Sequence, residues 1–215
     1  PGGAFASAGV APAPLTDYRV TFDHKAVFAQ LNYDVTEALE LTAALRYDVS
    51  DGRIDDNMGG IVNEETFSAL QPKFSAAYRA SDHLMVYGTY SQGFKSGSFN
   101  AASAGPAFPR VIEEERSRNY EIGFKSNWFD RRLILNGAAF YTEHLDPQIF
   151  LLDPATITQG SLNAERAEIR GFEVELNARP IEGVDLHGSF GYIDAEIADF
   201  DGATNIYVGQ QLPNA

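Results

Sequence analysis

Residues 39–50 read LELTAALRYDVS. Leu39, Leu41, Ala43, Leu45, Tyr47 and Val49 fall on one side of an extended chain, and Glu40, Thr42, Ala44, Arg46, Asp48 and Ser50 on the other. Apolar and polar residues that alternate with period two mark a β-strand, because successive strand side chains point to opposite faces. A run of this length also exceeds the five or six residues, roughly, of an ordinary strand in a soluble sandwich.

The same alternation extends outward from this stretch. Val27, Ala29, Leu31 and Tyr33 alternate with Phe28, Gln30, Asn32 and Asp34. Tyr120, Ile122, Phe124 and Trp128 alternate with Asn119, Glu121, Lys125 and Asn127, with Ser126 as a small polar interruption. Leu133, Leu135, Ala139 and Tyr141 repeat the pattern, as do Phe172, Val174, Leu176 and Ala178, and then Val184, Leu186, Phe190 and Tyr192. Leu84 to Lys95 and Gln71 to Arg79 alternate less cleanly. Short polar turns separate paired strands around Thr36, Asp82, Asp130 to Arg132, and Glu182 to Gly183, a repeat of roughly fifty residues. Two long strands, a tight turn and a long loop form the repeat of a transmembrane β-barrel, with short turns at one rim and loops at the other. The expected fold is therefore all-β, an antiparallel transmembrane β-barrel.

Aromatic spacing gives the barrel a height. Tyr47, Tyr141 and Tyr192 each lie eight residues beyond an apolar residue of the same face, and Tyr120 lies eight before Trp128. Eight residues at about 3.3 Å, inclined by about 40°, rise roughly 20 Å, close to the outward apolar band of about 25 Å that aromatic girdles bound. Tyr33 and Trp128 would then mark the rim with short turns, and Tyr47, Tyr120, Tyr141 and Tyr192 the rim with loops.

Composition sets further bounds. There is no cysteine among the 215 residues, hence no disulfide framework and no thiolate nucleophile or metal site. No run approaches the eighteen or so apolar residues of a membrane helix, which a barrel does not need. The net charge of -14 argues against nucleic acid as a partner, since such binding depends on Lys and Arg neutralising phosphates. Acidic residues gather at Asp51, Asp55, Asp56, Glu64, Glu65, Glu113, Glu114, Glu115, Asp199 and Asp201, beside the expected loops, and read as a solvated rim.

Catalytic motifs are not formed. His24, His83, His144 and His187 lie on separate segments without a metal-ligand spacing. HGSFG at 187–191 lacks the glycine two before the serine and the following helix of a nucleophile elbow, and reads as a strand with small residues toward the lumen. DVSDGRIDDN at 48–57 departs from the order of a calcium loop and reads as a turn followed by an acidic loop. Neither enzyme activity nor a cofactor is expected.

Five segments, LELTAALRYD (39–48), YSQGFKSGSFN (90–100), RNYEIGFKSNWFDRRLILNGAAFY (118–141), NAERAEIRGFEVELNARP (163–180) and LHGSFGYIDAEIADF (186–200), together with the closing LPNA, resemble the barrel domain of TonB-dependent outer-membrane receptors. The resemblance implies a plugged barrel of about 22 strands, of which residues 18–215 would supply about eight. Residues 1–17 read as a leader or truncated loop without fixed structure, and the plug, the TonB-pairing box and the final strand would lie outside these residues. It further implies the outer membrane of a Gram-negative bacterium, with membrane lipid, TonB acting through the plug, and a transported ligand such as a metal chelate as partners. The implied function is active uptake of a scarce, bulky nutrient: a ferric siderophore, haem, cobalamin or glycan.

Candidate ligand contacts are Phe99, Phe108, Arg110 and Arg116 in the loop from Ser96 to Ser117, with Arg46 and Lys125 on the inward wall beside Gln30, Asn32, Asn136, Glu173 and Glu175. Two other architectures fit the pattern. A self-contained eight-stranded barrel with a structural or adhesive role would pair its first and last strands. A soluble β-sandwich binding module would press its apolar faces together.

Overall fold

The computed structural model describes residues 16–199. The expected leader, apart from Thr16 and Asp17, and the QQLPNA end lie outside the described residues. In chain order the strands are β1 (Tyr18–Asp34), β2 (Leu39–Asp56), β3 (Ile61–Ser81), β4 (Leu84–Lys95), β5 (Ser98–Phe99), β6 (Val111–Ile112), β7 (Glu115–Trp128), β8 (Leu133–Leu145), β9 (Gln148–Asp153), β10 (Thr158–Asn163), β11 (Arg166–Ala178) and β12 (Leu186–Asp199). Among the described residues a single 3-10 turn spans Ala102–Ala104.

Eight of these form one antiparallel sheet in the order β1-β2-β3-β4-β7-β8-β11-β12, each long strand pairing with the next long strand along the chain. Two small hairpins, β5–β6 and β9–β10, interrupt the meander. Among the described residues β1 and β12 remain sheet edges, so the closure that a self-contained barrel requires is not formed. The segments that looked irregular in sequence are continuous strand, all of β4 and part of the second half of β3, because both neighbours hold them in register.

Opposed residues in the register share a side of the sheet. Leu31, Ala43, Phe74 and Tyr90 lie side by side across β1 to β4, and Trp128 opposes Leu133. This apolar side is open: Leu31 is 66% and Ile122 68% exposed, and Val27, Phe74 and Phe190 also lie bare. A sandwich would cover it with a second sheet; here nothing among the described residues packs there, and so broad an apolar surface calls for lipid.

The short turns supply the lower rim. At the first, the Thr36 hydroxyl accepts hydrogen bonds from the amides of Ala38 and Leu39, at 3.2 and 3.0 Å, fixing a tight reversal. At the third, Phe129, Asp130 and Arg131 all take left-handed backbone angles. Val184, read above as a strand residue, belongs to the fourth turn, where its amide reaches the Ile181 carbonyl at 3.2 Å; the strand starts at Leu186.

At the other end the strands run further than expected. Residues 48–56 are strand, not turn and acidic loop: β2 stays paired with β1 to Tyr18 and with β3 to Ile61. The acidic residues fit the strand because Asp51 and Asp55 lie on the outward side beside Lys25 and Arg53. The reversal is only Asn57 to Gly60, organised by Asp56, whose carboxylate accepts from the amides of Met58 (3.1 Å) and Gly59 (2.9 Å).

Candidate functional site

The polar side of the sheet divides at the level of Tyr47, Tyr90, Tyr120 and Tyr141. Below this level it is an open wall of small polar groups. Tyr87 donates to Glu121 (2.9 Å), Ser75 meets Thr89 (2.9 Å), Asn136 donates to Glu175 (3.4 Å) and Gln30 to Asn32 (3.0 Å). Arg46 grips Asp48 through two hydrogen bonds, at 2.6 and 2.7 Å, and Gln71 adds a third at 2.6 Å. Lys125 opposes Asn136 and makes no ion pair among the described residues.

Above that level two connections fold over the same side. Residues 96–114 lay Phe99 between Phe22 of β1 and Phe67 of β3, with ring centres 6.2 and 6.4 Å apart. Phe67 and Ile54 are each 2% exposed beneath them. Gly97 allows this approach, since a Cβ there would collide with the Phe67 ring and the Ile112 carbonyl. The β9–β10 hairpin seats Ile149, with Leu151 and Leu162 around it, against Ile197 and Ala164.

Three amide side chains lock the two connections together. Asn100 donates to the carbonyls of Pro109 and Ser161, both at 2.7 Å, and accepts from the Ser161 amide at 2.9 Å. Gln148 donates to the carbonyls of Ser96 and Glu113, each at 3.0 Å. Asn163 accepts from the Glu113 amide at 2.9 Å and donates to the Asp146 carbonyl at 2.7 Å. At the base, Glu115 meets His144 Nδ1 (3.2 Å), the Gln148 amide (3.1 Å) and Lys95 Nζ (3.2 Å). The His144 contact first, then the Gln148 amide and Lys95, hold the Glu115 carboxyl down at about 2 against the opposing effect of burial. Asp56 lies lower than an ordinary carboxylic acid because it accepts from the amides of Ala102, Gly59 and Met58, with Arg110 nearby.

The candidate residues therefore separate. Phe99 and Phe108 are 6% and 7% exposed and pack the connections, Phe108 against Gly160. Arg110 is half-buried near Asp56. Arg46, Lys125, Glu173 and Glu175 share the polar wall. Arg116, expected in the loop, is in β7, because strand pairing opposite Phe94 and Leu145 already includes it. Alternation from Tyr120 then puts it on the apolar side, where it pairs with Glu114 at 2.7 Å. Tyr120 lies between Tyr90 and Tyr141, with ring centres at 5.1 and 6.4 Å. Tyr47, opposite Val27, and Tyr192, against Phe172, stand at the same end; Tyr33 and Trp128 stand near the short turns, the latter against His83. Sequence reasoning missed Tyr90 in this row, and also the locking residues Asn100, Gln148 and Asn163, whose irregular loops carry no periodic signal.

A one-layer sheet that is apolar outside, polar inside and capped at one end by inward-folded connections is the wall of a transmembrane β-barrel. Residues 2–215 match the family described as TonB dependent receptor-like, beta-barrel. The chain belongs to that family. It is 28% identical over 166 residues to the metal-pseudopaline receptor CntO of Pseudomonas aeruginosa, covering 77% of this chain and 21% of that one. Among solved structures, the siderophore receptor PiuA from Acinetobacter baumannii superposes with a TM-score of 0.74 at 19% identity, over 93% of this chain and 30% of that one. The ferric yersiniabactin uptake receptor FyuA from Yersinia pestis gives 0.68 at 23% identity, over 83% and 28%. The chain thus spans less than a third of the length of these relatives, and its eight-stranded sheet is part of a larger barrel wall.

Proposed function

We propose that this chain forms part of the wall and mouth of a Gram-negative outer-membrane receptor that actively imports a scarce, bulky nutrient, using energy relayed by TonB through a plug. The observation that carries the reading is the pair of connections locked over the polar side of the wall, above an apolar outer band. That arrangement gives a lumen with a structured mouth and calls for no covalent chemistry. The favoured cargo class is a metal chelate of the siderophore type, which relatives named for siderophores and metal-pseudopaline support; haem, cobalamin and glycans are the other classes.

In this reading Lys125 and Arg46 face the lumen as cations for an anionic chelate or for plug carboxylates. Phe99, Phe108 and Arg110 act on the ligand by holding the shape of the mouth. The two aromatic rows, Tyr33 with Trp128 and Tyr47 with Tyr120, Tyr141 and Tyr192, lie at the two lipid–water interfaces. The test is uptake of radiolabelled ferric siderophores, haem and cobalamin by cells that have the full-length receptor as their sole importer, with and without TonB. Uptake of a chelate that disappears without TonB is the expected result. Equal uptake in both strains, or none of any cargo with the receptor in the outer membrane, overturns the reading.

A further inference from the structure

The β9–β10 hairpin has one covered edge and one bare edge. On the covered edge, the Ser161 amide donates to the Asn100 side chain at 2.9 Å, and the Ser161 carbonyl accepts from it at 2.7 Å. Both backbone groups of Ser161 therefore point away from β9. Opposed residues of an antiparallel pair either exchange both hydrogen bonds or direct both outward, and Ser161 opposes Phe150. Phe150 thus turns its amide and carbonyl away from β10, and Gln148 and Leu152, two residues to either side, do the same. At the base the Gln148 amide donates to Glu115 at 3.1 Å. The outward groups of Phe150 and Leu152 have no partner among the described residues.

The side chains repeat the asymmetry. Ile149 is 7% exposed and Leu151 packs beside it, whereas Phe150 is 66% and Leu152 52% exposed. The same two residues therefore offer free backbone groups and bare apolar side chains together, the form of a strand edge that takes a further strand. Left open to water, such an edge invites pairing between molecules. A cover from within the receptor removes that hazard.

The chain itself supplies a fitting segment. β12 carries Ile197, which packs against Ile149 near the foot of β9, and ends at Asp199. Beyond it the sequence reads FDGATNIYVG (200–209). Asp201-Gly202 is a turn signal, Ala203 to Val208 is a run of six rich in β-branched and aromatic residues, and Gly209 closes it. Six residues equal the length of β9. Thr204, Ile206 and Val208 share one side of such a run, an apolar match for Phe150 and Leu152. The reach suffices. The seven residues from Ile197 to Thr204 extend to roughly 23–25 Å, and Phe150 and Leu152 stand only about 3 and 10 Å beyond Ile149 along the strand. The other edge of the hairpin is already covered in this way, by the connection of the same chain that carries Asn100.

We infer that residues 203–208 add a third strand to the free edge of β9, completing a three-stranded sheet at the mouth. The inference extends the mouth of the reading above and is independent of the cargo. The experiment uses the full-length receptor in intact cells. Leu152→Cys is combined with Thr204→Cys, Ile206→Cys or Val208→Cys, to span the registers, and with Val62→Cys on the outer side of β3 as the control. After mild oxidation one of the three pairs should crosslink within the receptor at least tenfold more than the control. Phe150→Cys alone should react with a membrane-impermeant maleimide at least tenfold more slowly than Ile157→Cys, which lies 82% exposed at the hairpin tip. Replacing residues 203–208 with a Gly-Ser repeat should abolish that protection. The strand is overturned if no pair exceeds the control, or if Phe150→Cys is labelled as fast as Ile157→Cys. Protection that survives the Gly-Ser replacement overturns it in favour of another segment or an outside protein, and crosslinks between receptors overturn it in favour of a second copy. Labelling of Ile157→Cys only in broken cells overturns the outer-membrane reading instead, while the paired crosslinks still decide the strand.

Discussion

Below the tyrosine row, β3 turns Phe74 and Tyr78 outward; above it, the same strand turns Phe67 and Ala69 to the opposite side. β2 reverses in the same way, with Leu45 and Tyr47 outward below and Ile54 inward above, and β12 follows, with Phe190 and Tyr192 outward and Ala195 and Ile197 inward. No strand twists over to achieve this. The hydrophobic phase of the sequence shifts by one residue while the backbone alternation continues. The two halves answer to different surroundings: in lipid the outer side must be apolar, whereas above it water wets the outside and the apolar residues must find partners within the protein. Each strand is thus a membrane element and a soluble element joined end to end.

The sharpest way to break the comparison is to truncate one phenylalanine in each half. Phe67→Ala removes a fully buried ring and should destabilise docking of residues 96–114 by about 3–5 kcal/mol. Phe74→Ala, whose ring stands half exposed on the outer side, should leave that docking unchanged. Limited proteolysis of the full-length receptor within residues 96–114 is the readout. Equal protection in the two variants would show that the upper packing is not an independent core.

Charge gives the next largest effect. Phe74→Arg places a cation midway down the apolar band and should lower unfolding stability in lipid by about 2–4 kcal/mol. Thr66→Arg, on the same side of the same strand but above the girdle, should change stability by no more than about 0.5 kcal/mol, as an ordinary surface substitution does. Urea titration of the lipid-reconstituted barrel separates the two. Equal losses would place the hydrocarbon boundary higher than the tyrosines.

The lower half was the legible one. Its alternation stands in LELTAALRYD and RNYEIGFKSNW almost without interpretation, because one continuous apolar side imposes a single period. In the upper half the period persists but its phase flips, so VSDGRIDD (49–56) resembles an acidic loop unless Ile54 is paired with Phe22 and Phe67 as a displaced apolar face. The two connections gave less still. Asn100 and Gln148 act through hydrogen bonds to carbonyls in remote loops, and nothing local in the sequence records such partners. Arg116 was misplaced for a related reason: a cluster of charges hides the two-residue alternation that would have put it in β7.

Asn100 tests those remote bonds. Asn100→Ala leaves the Pro109 and Ser161 carbonyls and the Ser161 amide without their side-chain partner, and should weaken locking of the two connections by about 2–3 kcal/mol. The β-strand wall would be untouched. Amide hydrogen exchange should therefore speed up in residues 100–112 and 158–163 alone; acceleration that spread into β7 or β8 would mean that the mouth and the wall fold as one unit.

The smallest effect comes from Glu115, where the two halves join. Its folded carboxyl titrates at about 2, below the ordinary 4.5. A depressed acid stabilises the fold above its unfolded value and ceases to do so as pH falls through the folded one, so the contribution is complete above about pH 4.5 and fades toward pH 2. Bonds from charged partners of this kind are worth roughly 1.5–3 kcal/mol, and Glu115 sits near the lower end, since Lys95 is well exposed. Lowering the pH from 7 to 3 should begin to release the Gln148 amide from exchange protection while leaving Asn100 and Phe67 in place. Glu115→Gln should show that release already at pH 7 and respond less to acid. If acid loosened wild type and variant equally, the sensitivity would belong to another group at the mouth, with Asp56 and its bond from the Ala102 amide the next to test.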